Sequence, residues 1–407
     1  MVMPKKILLA ASTAWPSAAR YAGGFVAAGC KVDALSPDGA PVRASRYVGR
    51  HYKYRALFPL ASLRKAIKES KAWIIVACDD RTVTQLVKLY SAEHARRDRS
   101  SIARVIERSL GQPLEYPRVM SRHTALSVMR SMGVRVPKSL PIAQECELNA
   151  WLDEIGFPAV LKTDGSWGGE GVIIAHTREE AHAAWRKLAQ PRLRMRSLAR
   201  AFKRRDAHYL RDAMSPESRT VSVQQFIAGK PAASAFAAVG GKLAAHIAYD
   251  VLEAQGTIGP PNIIRRVDCP QIYEAARNAA ACFGLTGLHG LDFIRDAAGD
   301  VHLIEINPRA TQGGTLAFGA GRDLPSALAA AMFEPVPRGM REAIANDVVA
   351  FFPRAWQCEE TRDWLGKAHH DIPWDDPAIL RAAMGIAKDA GDLRAAVYEK
   401  LGAEMVA

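Results

Sequence analysis

Asp292, Glu305 and Asn307 carry three oxygen-bearing side chains into the stretch LDFIRDAAGDVHLIEINPR, residues 291–309. Two apolar runs flank the polar turn AAGD, so the stretch reads as a β-hairpin or two adjacent strands. Asp292 lies on the first run; Glu305 and Asn307 lie on the second, two residues apart. Positions i and i+2 of a strand face the same way. A carboxylate and an amide oxygen therefore sit side by side, with Asp292 expected opposite them. Hard oxygen donors of this kind suit Mg²⁺, which keeps several waters and takes further oxygens from phosphate groups. Arg309, two residues on, adds a planar cationic fork. An ordinary polar-faced hairpin has the same local spacing, so the metal reading draws its strength from a second motif upstream.

That motif is FPAVLKTDGSWGGEGVIIA, residues 157–175. An apolar run ends at Lys162, a loop containing Gly165, Ser166, Gly168, Gly169 and Gly171 follows, and a second apolar run closes the hairpin. Glycine lets backbone N–H groups approach an anion closely. Lys162 stands where a cation can hold a phosphate. The loop is not a Walker A motif, because no Gly-Lys-Ser/Thr opens a helix, and it leads into a strand rather than into the helix of a dinucleotide fingerprint.

A third stretch, TVSVQQFIAGKPAASAFAAVGGKLAAHIAY, spans residues 220–249. A β-branched run reaches Gln225, Phe226 and Ile227, Gly229 breaks it, and Gly240-Gly241 divides two further apolar runs. The end of the first run can present backbone groups to an adenine edge.

In this order the three stretches resemble the ATP-grasp superfamily of carboxylate–amine ligases, over roughly residues 119–335. The segment SRHTALSVMRSMGVRVPKS, 121–139, resembles the helix that opens that fold, with Arg122 where the family usually has a lysine. The resemblance implies that Lys162, with Arg122, holds the ATP phosphates under a lid formed by the glycine-rich loop. Gln225 and Ile227, flanking Phe226, would face adenine through their backbone. Asp292, Glu305 and Asn307 would hold one or two Mg²⁺ ions, Mn²⁺ being the alternative metal. Arg309 would stabilise the acyl phosphate and the tetrahedral intermediate. The segment GKPAASA lacks the acid that many members use for the ribose, which leaves Gln224 or a residue elsewhere for that role. The implied activity is joining a small carboxylate to an amine through an acyl phosphate, with release of ADP and phosphate. A kinase or carboxylase-type reaction, or nucleotide binding without turnover, are the alternatives. Amine deprotonation needs a base, for which His246 and His289 are the sequence candidates.

The elements that must position these residues follow from pattern. Residues 1–118 alternate apolar strands (ILLAA, KVDALSP, WIIVACDD) with helical stretches, which implies a parallel sheet covered on both faces. This is the arrangement of a Rossmann-like pre-ATP-grasp domain. Asp79, Asp80 and Arg81 sit beyond the end of WIIVA, where ligands of such sheets bind; the same acids also suit a helix start. GQPLEYPR, ending at 118, reads as a linker. The resemblance implies that residues 119–335 are an ATP-grasp domain of two subdomains, the lid taking about 140–225, in an α+β arrangement. Residues 336–407 make an α-rich C-terminal extension whose Asp375 and Asp376 start a helix. The fold class is thus α/β overall.

Composition narrows the function further. The 407 residues are 49% apolar, enough for two or three domains with good cores. No apolar run is long enough to span a bilayer, and the six cysteines show no C-x-x-C pairing, which fits a reduced, cytoplasmic protein. The formal net charge is +13, concentrated in 43–71 and 191–211, and favours anionic partners. Without a recognisable nucleic-acid module or aromatic–basic interleaving, nucleic acid is disfavoured as a partner. An oligomer is left open.

Overall fold

The computed structural model describes residues 5–95, 100–163, 171–189, 220–256, 259–333, 341–386 and 392–401. Among the described residues three sheets organise the chain. The first contains β1 (Lys6–Ala10), β2 (Lys31–Ser36), β3 (Val48–Lys53) and β4 (Ile74–Ala77), all parallel, in the order β3-β2-β1-β4. Its central strand KILLA is apolar throughout because both faces are covered. Ile7 and Leu9 pack with helix Ser17–Ala27, whereas Leu8 and Ala10 pack with helices Pro59–Ser70, Asp80–His94 and Ser101–Leu110.

The second sheet contains β5 (Ser139–Ile142), β6 (Ala159–Thr163), β7 (Val172–Ala175) and β8 (Val221–Gln225), antiparallel in the order β5-β8-β6-β7. Helices Glu145–Ile155 and Arg178–Ala189 cover one face. There Leu148, Trp151, Leu152, Ala181 and Ala184 bury Ala159, Leu161 and Val223. Strand alternation turns Val160, Lys162 and Gln224 to the other face.

The third sheet is the largest: β9 (Gly229–Val239), β10 (Lys242–Ala254), β11 (Pro261–Val267), β12 (Gly287–Asp296), β13 (Val301–Asn307), β14 (Val348–Ala350) and β15 (His369–His370), in the order β13-β12-β9-β10-β11-β14-β15. The alanine-rich β9 is buried on both faces, Phe236 and Ala238 toward helix Pro270–Cys282 and Ala233, Ala235 and Ala237 toward helix Leu324–Met332. Both cores run on from the first sheet. A direct rung joins them as well, from the Ala310 N–H to the Ala77 carbonyl at 3.0 Å.

Several sequence expectations change here. Gly229 does not break a strand; it opens β9, opposite Asp296, and the run before it ends at Gln225, leaving Phe226–Ala228 as the crossing between sheets. Gly240 and Gly241 do form the tight hairpin turn, both with positive φ. GQPLEYPR is a packed segment rather than a free linker. Tyr116 is fully buried and its hydroxyl donates to the Leu110 carbonyl. The segment after 336 supplies strands β14 and β15 as well as helices. Its Asp376 carboxylate accepts from Ser45 Oγ at 2.6 Å, and Asp371 pairs with Arg20, so the tail packs on the first sheet's flank. No helix among the described residues is long and apolar enough to cross a membrane.

Candidate functional site

β12 and β13 form the expected antiparallel hairpin, with Asp292 directly opposite Glu305 and Gly290 opposite Asn307. A register shift after Asp292 accommodates the extra residue Ile304. Asn307 Nδ2 donates to Asp292 Oδ2 at 2.9 Å, and its Oδ1 accepts from Arg309 Nη2 at 3.0 Å. The protein surroundings and the neighbouring Glu305 push the Asp292 carboxyl up to about 6, against the pull of Asn307, Arg309 and Lys162. Burial also acts to raise Glu305, but Arg122 and Lys162 outweigh it and hold the group below its ordinary range. Its side chain keeps 35% of its surface open.

Lys162 comes from the facing sheet. It is 6% exposed, and its Nζ donates to Gln224 Oε1 at 2.6 Å. Burial and the Arg122 charge lower it to about 8, while Glu305 and Asp292 hold it up. Arg122, the first residue of helix Arg122–Ser131, is equally withdrawn and bridges the two sheets. Its Nη2 meets Glu305 Oε1 at 2.7 Å and its Nη1 donates to the Thr163 carbonyl at 3.3 Å. Thr163 N–H in turn bonds the Gly171 carbonyl, the last rung before the glycine-rich loop. Gly165, Ser166, Gly168 and Gly169 lie outside the described residues, as does the basic stretch 191–211. The N–H of Gln225 is committed to the Lys138 carbonyl and is not free for a ligand.

Arg309 leaves the end of β13 and turns toward the first sheet. Its Nε donates to Asp80 Oδ2 at 2.8 Å and its Nη1 to the Ala310 carbonyl at 3.3 Å. Burial acts to lower its pKa, but Asp80 overrides this and fixes the charge. The adjacent acids thus divide their roles. Asp79 caps helix Asp80–His94 through the Thr82 N–H and also accepts from the Ser12 N–H and hydroxyl, whereas Asp80 belongs to the site. Asp80 is the functional residue that sequence reasoning left undecided; its signal was the DD pair at a strand end.

The loop after Arg309 is wedged between two phenols. Tyr21 Oη donates to the Thr311 carbonyl at 2.6 Å. A Cβ on Gly313 would lie 2.5 Å from the Tyr249 ring, and one on Gly314 would meet the Tyr21 hydroxyl. Tyr249 shares the cleft face with the site. It pairs across β9 in the row Glu305–Asp292–Ala233–Tyr249.

His246 and His289 do not share that face. They flank Phe236 in a single row across β12, β9 and β10, on the side covered by helix Pro270–Cys282. Burial lowers both to about 4. Neither is placed to act as a base beside Asp292, because a strand's faces alternate and their parity is opposite.

The arrangement gathers two carboxylates and an amide oxygen from one sheet, two shielded cations (Arg122, Lys162) at the facing sheet, and a third (Arg309) at the first sheet. No group of three or more His, Cys, Asp or Glu suited to a metal occurs among the described residues. Two carboxylates and an amide are hard oxygen donors, the kind that Mg²⁺ takes together with phosphate and water. The Asp292–Glu305 repulsion that raises Asp292 is what such a cation relieves.

A family model described as an ATP-grasp domain matches residues 122–313. A stretch of 64 residues is 38% identical to phosphoribosylamine–glycine ligase of Ralstonia nicotianae, covering 16% of this chain and 15% of that protein. Three solved structures resemble the chain over most of its length. An ADP complex of N5-carboxyaminoimidazole ribonucleotide synthetase superposes with a TM-score of 0.58 at 14% identity, covering 83% of this chain and 80% of its own. The biotin carboxylase domain of Hydrogenobacter thermophilus 2-oxoglutarate carboxylase, with MgADP, ADP and bicarbonate, gives 0.57 at 15%, covering 84% and 72%. L-amino acid ligase from Bacillus licheniformis gives 0.52 at 14%, covering 84% and 79%. At these identities the likeness is one of fold. The matched domain model and the fold likeness both point to ATP-grasp proteins, which is what residues 122–313 of this chain are similar to.

Proposed function

We infer that this protein is an ATP- and Mg²⁺-dependent ligase that joins a small-molecule carboxylate to an amine. The observation that carries the reading is the opposition of Asp292, Glu305 and Asn307 to Lys162 and Arg122 across one cleft, with Arg309 fixed at its end by Asp80. Acids on one wall and cations on the other suit a metal–polyphosphate ligand, whose charges alternate in the same way. Ligases and carboxylases that form C–N bonds on this fold, among them an L-amino acid ligase and a synthetase bound to ADP, support it.

In the proposed reaction a carboxylate oxygen attacks the γ-phosphorus of ATP, and the bond to the β-phosphate oxygen breaks to release ADP. The amine nitrogen then attacks the acyl carbon, the bond to phosphate breaks, and the amine's proton passes to the departing phosphate or to water. Asp292, Glu305 and Asn307 would hold Mg²⁺, which supplies charge neutralisation at the phosphates. Lys162 and Arg122 add fixed positive charge to the transferring phosphoryl group. Arg309 faces the acyl group and stabilises the oxyanion. Its bond to Asp80 keeps the guanidinium oriented before substrate arrives.

The test is ADP and phosphate release by the purified protein with Mg·ATP, screened across amino acids, small acids and bicarbonate. An amide or carbamate product supports the ligase, whereas a stable phosphate ester points to a kinase. Lys162→Ala and Glu305→Ala should each abolish turnover with the fold intact. Absence of nucleotide-dependent stabilisation at millimolar Mg·ATP would remove the basis of the proposal.

A further inference from the structure

Arg354 has no part in the site as described, yet it is mostly buried beside it. It lies in the short turn Arg354–Trp356, after β14, and its Nη2 donates to Gln312 Oε1. Among the described residues its guanidinium pairs with no carboxylate. Removal from water lowers its pKa. A guanidinium kept from water with no counter-ion is costly unless a ligand supplies one.

Its partner places it. Gln312 is three residues beyond Arg309 and next to Gly313, which is pressed against the Tyr249 ring. The Tyr249 phenol in turn feels the charges of Asp292 and Arg309. Arg354 therefore holds the loop that follows Arg309, three residues beyond that arginine. Between them Thr311 Oγ1 is buried and makes no hydrogen bond among the described residues. The loop thus begins at an arginine whose charge Asp80 balances and is held by a second, Arg354, that pairs with no carboxylate among the described residues.

We propose that Arg354, braced by Gln312, binds a second anionic group of the substrate, so that the carboxylate or the amine this enzyme joins also bears a further carboxylate or a phosphate. The inference rests on the ligase reading for the identity of the reaction, but the anion subsite can be tested without turnover. A planar, always-charged fork suits either anion in bidentate geometry.

The experiment is calorimetric titration of the full chain, with its nucleotide cleft filled by a non-hydrolysable ATP analogue and Mg²⁺. Succinate, inorganic phosphate and acetate are the probes. Succinate or phosphate should bind at least tenfold more tightly than acetate, and whichever is preferred identifies the anion. Arg354→Gln should erase the preference, and Arg354→Lys should retain part of it. Equal binding of all three probes by the wild-type protein, or a preference that survives in Arg354→Gln with an unchanged melting temperature, overturns the subsite. Failure of the ligase reading shows separately, as no ADP release with any acid in the activity screen, and leaves the binding result standing.

Discussion

Arg309 and Asp80 are 229 residues apart in sequence and 2.8 Å apart in space, Nε to Oδ2. The pair ties the reacting end of the cleft to the first helix after β4, so the parallel sheet contributes to the site directly. Removing Asp80's charge leaves Arg309 free to turn. Asp80→Asn should lower turnover about a hundredfold with little change in nucleotide affinity, the cost of misplacing a catalytic group by about an ångström. A double-mutant cycle with Arg309→Lys should give a coupling of about 1–3 kcal/mol. Additive effects would show that the two residues act independently.

Lys162 gives nucleotide binding a pH dependence with a definite sign. The group titrates at about 8, so it is charged below that pH and neutral above it. An anionic nucleotide favours the charged form, and binding above pH 8 must take up a proton. ADP affinity measured in EDTA should therefore fall between pH 7.5 and 9.5. Of the other groups facing Lys162, Arg122 stays charged throughout, and Glu305 and Asp292 titrate at lower pH. Lys162→Arg should flatten the profile. A slope that persists in that variant assigns the effect elsewhere.

Glu305 serves two partners, Arg122 in the structure and the proposed metal. Glu305→Gln keeps the shape and one hydrogen bond but removes the charge. The Mg²⁺ concentration needed for half-maximal stabilisation by ADP should rise about tenfold or more. Thermal-shift titrations with Mg²⁺ check this, and an unchanged requirement would remove Glu305 from the metal set.

His289 and His246 link stability to mild acid. Both titrate at about 4 in the folded chain, whereas unfolded histidine titrates at about 6.5. The unfolded state thus binds more protons in that window, so their contribution is complete above pH 6.5 and is lost as pH falls toward 4. Each histidine should cost about 2 kcal/mol between pH 7 and 5. Urea unfolding at the two pH values measures the loss, and His289→Gln should shrink it. An undiminished loss in that variant would place the acid sensitivity in other groups.

The local half of the site is legible in the sequence. The β12–β13 hairpin, with Asp292 across from Glu305, follows from strand alternation and the AAGD turn, and the Lys162 strand follows from an apolar run that stops at a glycine-rich loop. What stays hidden depends on long-range packing. Asp80 resembles any acid at a helix start until the Ala310–Ala77 rung brings β13 beside it. The two histidines look available until register puts them on the wrong face. Arg354 has no motif at all, because its meaning comes from the carboxylate it lacks. Gly229 misled because a glycine at a strand's start and one at its end are alike in sequence. In the fold the Arg295 carbonyl crowds the place of a side chain at this position.

The glycine wedge at Gly313 and Gly314 constrains how this protein can diverge. Gly313→Ala alone would force Tyr249 to move, at a cost of about 1–3 kcal/mol. Gly314→Ala would likewise collide with Tyr21 and lie 3.0 Å from a Leu324 methyl. Side chains at 313 and 314 therefore come at the expense of the two phenols. Smaller side chains at positions 21 and 249 would make room at these two glycines, so the four positions are expected to change together.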